Sequence, residues 1–316
     1  MTQRWRLYFM GLAMCLLAWQ AQAQAPGVRV AIVSSQTSAP YMEAAQALIR
    51  QLESQGVPRN AIQLFNPADV ASLPAATQAT LKVWVALGFE ASASLAKAQL
   101  KAPVLSALIP RSGFERVLSD NGRKASAQFN ALYLDQPLSR QVALIRLALP
   151  QARQVGVLLG PQSWSRAPSL LAAASTRGLS LRAARLDDDT SLFDALQSIL
   201  ADSDVLLAQA DPLVYNSNTI QNILLTTIRA KVPLLAFSPA YVRAGALLAV
   251  YSTPTQAGTQ AAHWVQEALA MRSLPEQALE PLDFEISVNA QVARVFGLTL
   301  DAQALRLALK RQEQLP

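Results

Sequence analysis

A chain of 316 residues, 52% hydrophobic and 15% charged, is too apolar to remain disordered and long enough for two α/β domains. Its formal charge of +6 comes from 27 basic and 21 acidic residues; the basic residues are dispersed, so the excess reflects few acids and not the basic stripe of a nucleic-acid interface. Eighteen prolines and twelve glycines are spread along the chain, which excludes a low-complexity tail.

In chain order, the first 25 residues read as targeting and not as fold. Arg4 and Arg6 precede the apolar run "LYFMGLAMCLLAW", which is short for a bilayer span and ends in the small-residue pattern "AQAQA". A signal peptide over 1–23 is expected, cut after Ala23, because a cut after Ala25 would place Pro26 at the following position. Cys15 follows Met14, where a lipoprotein signal places a small residue, so no lipid anchor is expected. The mature chain then lacks cysteine, can form no disulfide and carries +4. No later run reaches 18 apolar residues, so a soluble periplasmic body is expected.

Beyond the signal, one order of elements occurs twice. "VRVAIV" (28–33), the turn "SSQTSAPY" and the helical "MEAAQALIRQLESQG" are matched by "QVGVLL" (154–159), "GPQSWSR" and "APSLLAAASTRG". "AIQLF" runs into the capped segment "NPADVASL" as "LRAARL" runs into "DDDTSLFDALQSIL", and "KVWVALG" and "APVLSAL" are matched by "DVLLAQA" and "VPLLAFS". Short apolar runs alternating with helices predict parallel sheets covered on both faces, hence two Rossmann-like α/β lobes. "ALYLD" (131–135) joins the halves, while "GALLAVYS" (245–252) and "LDFEISVN" (282–289) bracket the helix "PTQAGTQAAHWVQEALAM". With that helix on lobe 1 and the C-terminal segment on lobe 2, the chain crosses three times. Lobe 1 is then 24–134 plus 253–281, and lobe 2 is 135–252 plus 282–316.

"VPLLAFSPAYVRAGALLAVYSTPTQAGTQAAHWVQEAL" and "LDFEISVNAQVARVFGLTL" carry Pro233, Gly245 to Leu247, Gly258, Ala262, Asn289 and Gly297 in a characteristic order, and "LDQPLSRQVALIRLALPQARQVGVLLGP" adds Asp135 at the crossing and Pro150 at a helix end. On these residues the chain resembles the ABC transporter substrate-binding proteins related to tryptophan- and tyrosine-binding proteins. The resemblance implies a type I periplasmic binding fold and an amino acid as a possible ligand. It covers about two thirds of the mature chain, chiefly lobe 2 and the hinge. Lobe 1 departs from it: where relatives carry an Asn-x-Thr-Gly segment, this chain has "IPRSGFERVLSDNGRKASAQFN".

Loops and helix N-termini at the carboxyl ends of parallel strands are where such folds hold ligands. The candidates in lobe 1 are Ser34, Ser35, Thr37, Ser38 and Tyr41 in the first loop, with Phe89, Glu90 and Ser92 in "LGFEASAS". In lobe 2 they are Ser163 and Trp164, Asp211 for a cationic group, Tyr215 and Asn216 in "AQADPLVYNSN", and Tyr241. Asp211 and Asn216 serve equally well as helix caps, and the aromatics as hinge packing.

Catalysis and metal binding find no support. His263 is the only histidine and stands in a helical run without triad companions, while "DDD" at 187–189 precedes a helix, where acids favour the positive end. There is no Walker loop and no G-x-G-x-x-G, so no cofactor is expected. The expected function is a periplasmic solute-binding protein, monomeric, that closes on a small ligand and presents it to an inner-membrane ABC permease. The alternative is a sensor module that docks onto a membrane signalling protein.

Overall fold

The computed structural model describes residues 27–187, 191–271 and 273–314. The signal peptide expected over 1–23 lies outside them, as do Asp188 and Asp189 of the acidic run.

The first lobe runs β1 (Val30–Ser34), α1 (Ala39–Ser54), β2 (Ile62–Phe65), α2 (Ala75–Thr80), β3 (Val83–Leu87), α3 (Phe89–Lys97), β4 (Val104–Ile109), α4 (Arg111–Asp120) and β5 (Phe129–Tyr133). Its sheet has the order β2-β1-β3-β4-β5, every pair parallel. Alternate β1 side chains enter two cores: Val30 and Ile32 pack with Leu48 and Leu52 of α1, while Ala31 and Val33 face Leu95 and Phe114. Both faces are covered, which is why these strands read as unbroken apolar runs.

The second lobe follows as α5 (Leu138–Ala148), β6 (Gln154–Leu159), α6 (Ala167–Ser175), β7 (Ser180–Arg185), α7 (Leu192–Ala201), β8 (Val205–Leu207), α8 (Ile220–Arg229), β9 (Leu234–Ala236), α9 (Pro239–Ala244) and β10 (Leu248–Tyr251). Then come α10 (Pro254–Met271), β11 (Glu285–Val288), α11 (Ala290–Val295) and α12 (Ala302–Gln314). The six-stranded sheet has the order β11-β10-β9-β8-β6-β7 and is parallel except for β11, which pairs antiparallel with β10. That strand returns from the other lobe, so it meets the sheet edge from the opposite direction.

α10 starts in a reciprocal capping box: Gln256 N–H donates to Thr253 Oγ1 (3.1 Å) and Thr253 N–H to Gln256 Oε1 (2.9 Å). It packs on α1 so closely that a Cβ on Gly258 would lie 2.2 Å from the Ala44 carbonyl oxygen. The returning segment then joins the free edge of β5, where Tyr133 N–H donates to Leu279 O and Leu279 N–H to Ala131 O. In the second lobe the buried Arg140 grips α12 through Glu313 (2.5 and 2.9 Å) and stacks its guanidinium 4.3 Å from the Phe284 ring centroid. The chain thus passes between lobes after β5, after β10 and before β11. Among the described residues no helix is long and apolar enough to cross a membrane.

Candidate ligand-binding site

The carboxyl ends of both sheets converge on one cleft. Its approach from lobe 1 is set by a bulge in β4: the register with β5 shifts between Ser106 and Ile109, and Leu108 takes φ +52°. A branched side chain in the left-handed region costs of order 1–3 kcal/mol, and a bulge re-aims the residues that follow it. Here it delivers Pro110, Ser112, Gly113 and Arg116 to the cleft. Ser112 Oγ–H then donates across the lobes to Ala210 O at 2.9 Å.

Two chambers adjoin at Pro110, Ala210 and Phe237. The inner one, about 290 Å³, lies against the hinge and is mainly apolar, with Leu134, Ala236 and Val250 among its walls and Gln136, Gln141 and Gln209 at its edge. These amides bond one another: Gln209 Nε2–H donates to Gln141 Oε1 (2.7 Å) and Gln141 Nε2–H to Gln136 O (2.7 Å). The outer chamber, about 360 Å³, is walled by Phe89 and Arg116 from lobe 1 and by Gln162, Phe237 and Tyr241 from lobe 2. Phe237 stands edge-on to Tyr215 (6.0 Å between centroids) and to Tyr241 (5.1 Å), and the Arg116 guanidinium lies 5.5 Å from the Phe89 centroid.

Of the candidate residues, Phe89, Asp211, Tyr215 and Tyr241 line the outer chamber. Asp211 is only 1% exposed, and internal donors hold both of its oxygens: Oδ2 accepts from Ser163 N–H (3.0 Å) and Ser163 Oγ–H (2.8 Å), Oδ1 from Leu213 N–H (3.0 Å). Its carbonyl starts the single turn that carries Val214 and Tyr215. Asn216 caps the next turn, its Oδ1 accepting from Asn218 and Thr219 N–H. Tyr215 is 4% exposed, its hydroxyl has no partner among the described residues, and burial pushes its ionisation far above the ordinary phenol range, with Tyr241 and Asp211 adding to the effect. Tyr241 donates its hydroxyl to Tyr215 O at 3.2 Å.

The other candidates stand outside both chambers. Ser35 Oγ accepts from Ala91 N–H (2.9 Å), capping α3 from a neighbouring loop because Gly88, at φ +89°, offers no side chain. Tyr41 covers that glycine so tightly that a Cβ there would lie 2.6 Å from its ring. Ser34 donates to Gln36 O, Ser38 to Gln36 Oε1, and Ser92 back to Gly88 O. Thr37 is exposed, Glu90 lies in a separate depression with Pro67 and Lys97, and Trp164 packs beside the second-lobe core with Arg185 over its ring. Pro110, Ser112, Arg116, Gln162 and Phe237 were not singled out from sequence; the one available signal was their place just after an apolar strand.

Asp135 joins the two sides of the hinge. Its Oδ2 accepts from Arg111 N–H (2.6 Å) at the start of α4, and its Oδ1 from Arg166 Nη1–H (2.8 Å) of the second lobe. Nearby, burial lifts the Glu115 carboxyl above its ordinary range against the opposing pull of Arg111 and Arg166.

The profile of the ABC transporter substrate binding protein family matches residues 41–311. Among solved structures, the chain is similar to an ABC domain in complex with L-Trp from Streptococcus pneumonia (15% identity, 88% of this chain and 97% of that one, TM-score 0.59). It is also similar to a conserved domain protein from Vibrio cholerae (20% identity, 89% and 97%, TM-score 0.60) and to the ligand-free, open form of a substrate binding protein with adhesive properties from Clostridium difficile (15% identity, 87% and 96%, TM-score 0.63). At these identities the likeness is one of fold, that of the type I periplasmic binding proteins. No curated protein sequence matches the chain.

Proposed function

The chain belongs to the ABC transporter substrate-binding protein family, and from that premise we propose that it is a periplasmic, non-enzymatic solute-binding protein. It closes its lobes on one small ligand and delivers it, as a monomer, to an inner-membrane ABC permease. The observation that carries this reading is the two-chambered cleft at the carboxyl ends of both sheets, flanked by three chain crossings. Apolar walls with a few polar groups at a lobe interface are the usual make-up of a small-molecule site, and crossings of this kind permit hinge closure. The likeness to tryptophan- and tyrosine-binding proteins makes amino acids the first class to test. Nucleic acid has no place in this reading.

The test is thermal unfolding of protein stripped of carried-over ligand by refolding, against amino acids, peptides, nucleosides, sugars and organic acids. A ligand at ~100 times its dissociation constant adds roughly 2.7 kcal/mol to the native state, so one chemical class raises the midpoint by several degrees. No shift with any class would refute ligand binding and favour a docking module for a membrane signalling protein.

A further inference from the structure

Among the described residues two acidic side chains line the chambers, Asp135 in the inner and Asp211 in the outer. Neither is available to an ammonium group. Asp135 is neutralised by Arg166 and bonded to the Arg111 amide. Asp211 is sealed from solvent, with its oxygens turned to Ser163 and Leu213. An ammonium drawn from water into this cleft meets no free carboxylate among the described residues, only neutral oxygens such as those of Gln162, Ser238 and Ser252, which replace its hydration incompletely.

The reachable charge is of the opposite sign. Arg116 lines the outer chamber, and its one acidic partner among the described residues, Asp120, stands 3.5 Å away with both side chains more than half exposed. Exposed helix pairs of this kind hold little energy, and a guanidinium with five N–H donors keeps several for a ligand anion. Arg116 also lies over the Phe89 ring, and the Phe237 and Tyr241 rings of the second lobe line the same chamber. A flat ring entering between them meets aromatic walls from both lobes, and the inner chamber adds apolar volume behind it.

We infer that the cleft takes an amine-free aromatic carboxylate, its ring between Phe89 and Phe237 and its anion facing Arg116, in preference to an α-amino acid. This rests on the cleft being a ligand site and narrows its cargo.

The probes are acids and amino acids matched but for the amine: 3-(indol-3-yl)propionate with L-tryptophan, and 3-phenylpropionate with L-phenylalanine. 3-Phenylpropionamide serves as the uncharged control. By calorimetric titration of the ligand-stripped protein, each acid binds at least about tenfold more tightly than its amino acid. Arg116→Gln weakens the acids by about tenfold and leaves the amide unchanged. Amino acids that bind as well as or better than the acids, or acids indifferent to Arg116→Gln, overturn the inference. If no probe binds while another chemical class raises the unfolding midpoint, the inference falls and the ligand site stands. If no compound of any class binds, both fall.

Discussion

Asp211→Ala separates an anchor of the cleft wall from a ligand contact. The carboxylate holds Ser163 N–H at 3.0 Å, Ser163 Oγ–H at 2.8 Å and Leu213 N–H at 3.0 Å. On truncation the Ser163 hydroxyl can turn to the Gly160 carbonyl, already 3.5 Å away, and Ser163 N–H keeps its 3.2 Å contact with the same oxygen, so only the part-buried Leu213 N–H loses its acceptor. At roughly 1–3 kcal/mol for an orphaned donor, together with the weakened hold on Ser163, the loss is about 2 kcal/mol. For a chain of this size the unfolding midpoint falls by about 4–8 °C. Gly160 supplies an internal control, because a Cβ there would lie 2.7 Å from Asp211 Oδ1. Gly160→Ala alone costs about 1–3 kcal/mol by overpacking. In the Asp211→Ala background the methyl enters vacated space, so urea unfolding of the four proteins shows a coupling of at least about 1 kcal/mol. Additive losses would refute the packing argument. An Asp211→Ala protein of native stability that no longer binds ligand would make Asp211 a direct contact.

Gly258→Ala sets helix propensity, worth up to about 1 kcal/mol in favour of alanine, against a methyl 2.2 Å from the Ala44 carbonyl. Backbone cannot yield cheaply, so a net loss of about 1–2 kcal/mol is expected in chemical unfolding, and a neutral variant would refute the close approach. Tyr215 stays protonated in the folded state while the unfolded chain ionises near the ordinary 10.0, so stability falls as pH rises past that value. Tyr215→Phe reduces this dependence, part of which Tyr41, Tyr133 and Tyr241, also raised by burial, retain, and, by deleting an unpartnered buried hydroxyl, adds about 1 kcal/mol; unchanged alkaline unfolding would assign the effect elsewhere. Ser112→Ala deletes the bond to Ala210 and shifts the ligand-free lobes toward the open form by about fivefold, read as a larger radius of gyration in solution scattering; a scattering curve identical to wild type would show that the bond does not hold the lobes.

The sheets were legible from their central strands, which are buried on both faces: "VRVAIV" and "KVWVALG" leave no polar face that a helix would need. The antiparallel β11 was not, since "LDFEISVN" has the same texture whichever way it enters the sheet edge. The site was legible only as a set of loops. Ser35, Asp211 and Asn216 were marked as polar residues at strand ends, yet each lies beside an unpaired helix or turn amide and is bonded to it. That competition is local and strong, so small polar residues there are drawn into the scaffold. Side chains that cannot cap, such as Phe89, Arg116 and Phe237, remain to face the cleft. After β4 the bulge decides which residues turn inward, and a φ of +52° at Leu108 has no sequence signature, because leucine is not chosen for it.

Residues 108–112 therefore couple hinge, cleft and closure. Leu108 holds the strain, Pro110 lines both chambers, Arg111 N–H is fixed on Asp135, and Ser112 reaches Ala210 in the other lobe. Asp135 stands at the first crossing, directly after β5, and ties Arg111 to Arg166 there, whereas the Ser112 contact reaches across the cleft itself. A neutral hydrogen bond contributes about 1 kcal/mol net, whereas a micromolar ligand contributes about 8 kcal/mol. The clasp at Ser112 can bias the empty lobes toward contact, but only a ligand that bridges Phe89 and Phe237 has enough binding energy to determine which form predominates. On the proposed reading, cargo recognition by Arg116 and lobe contact by Ser112 therefore share one helix, α4.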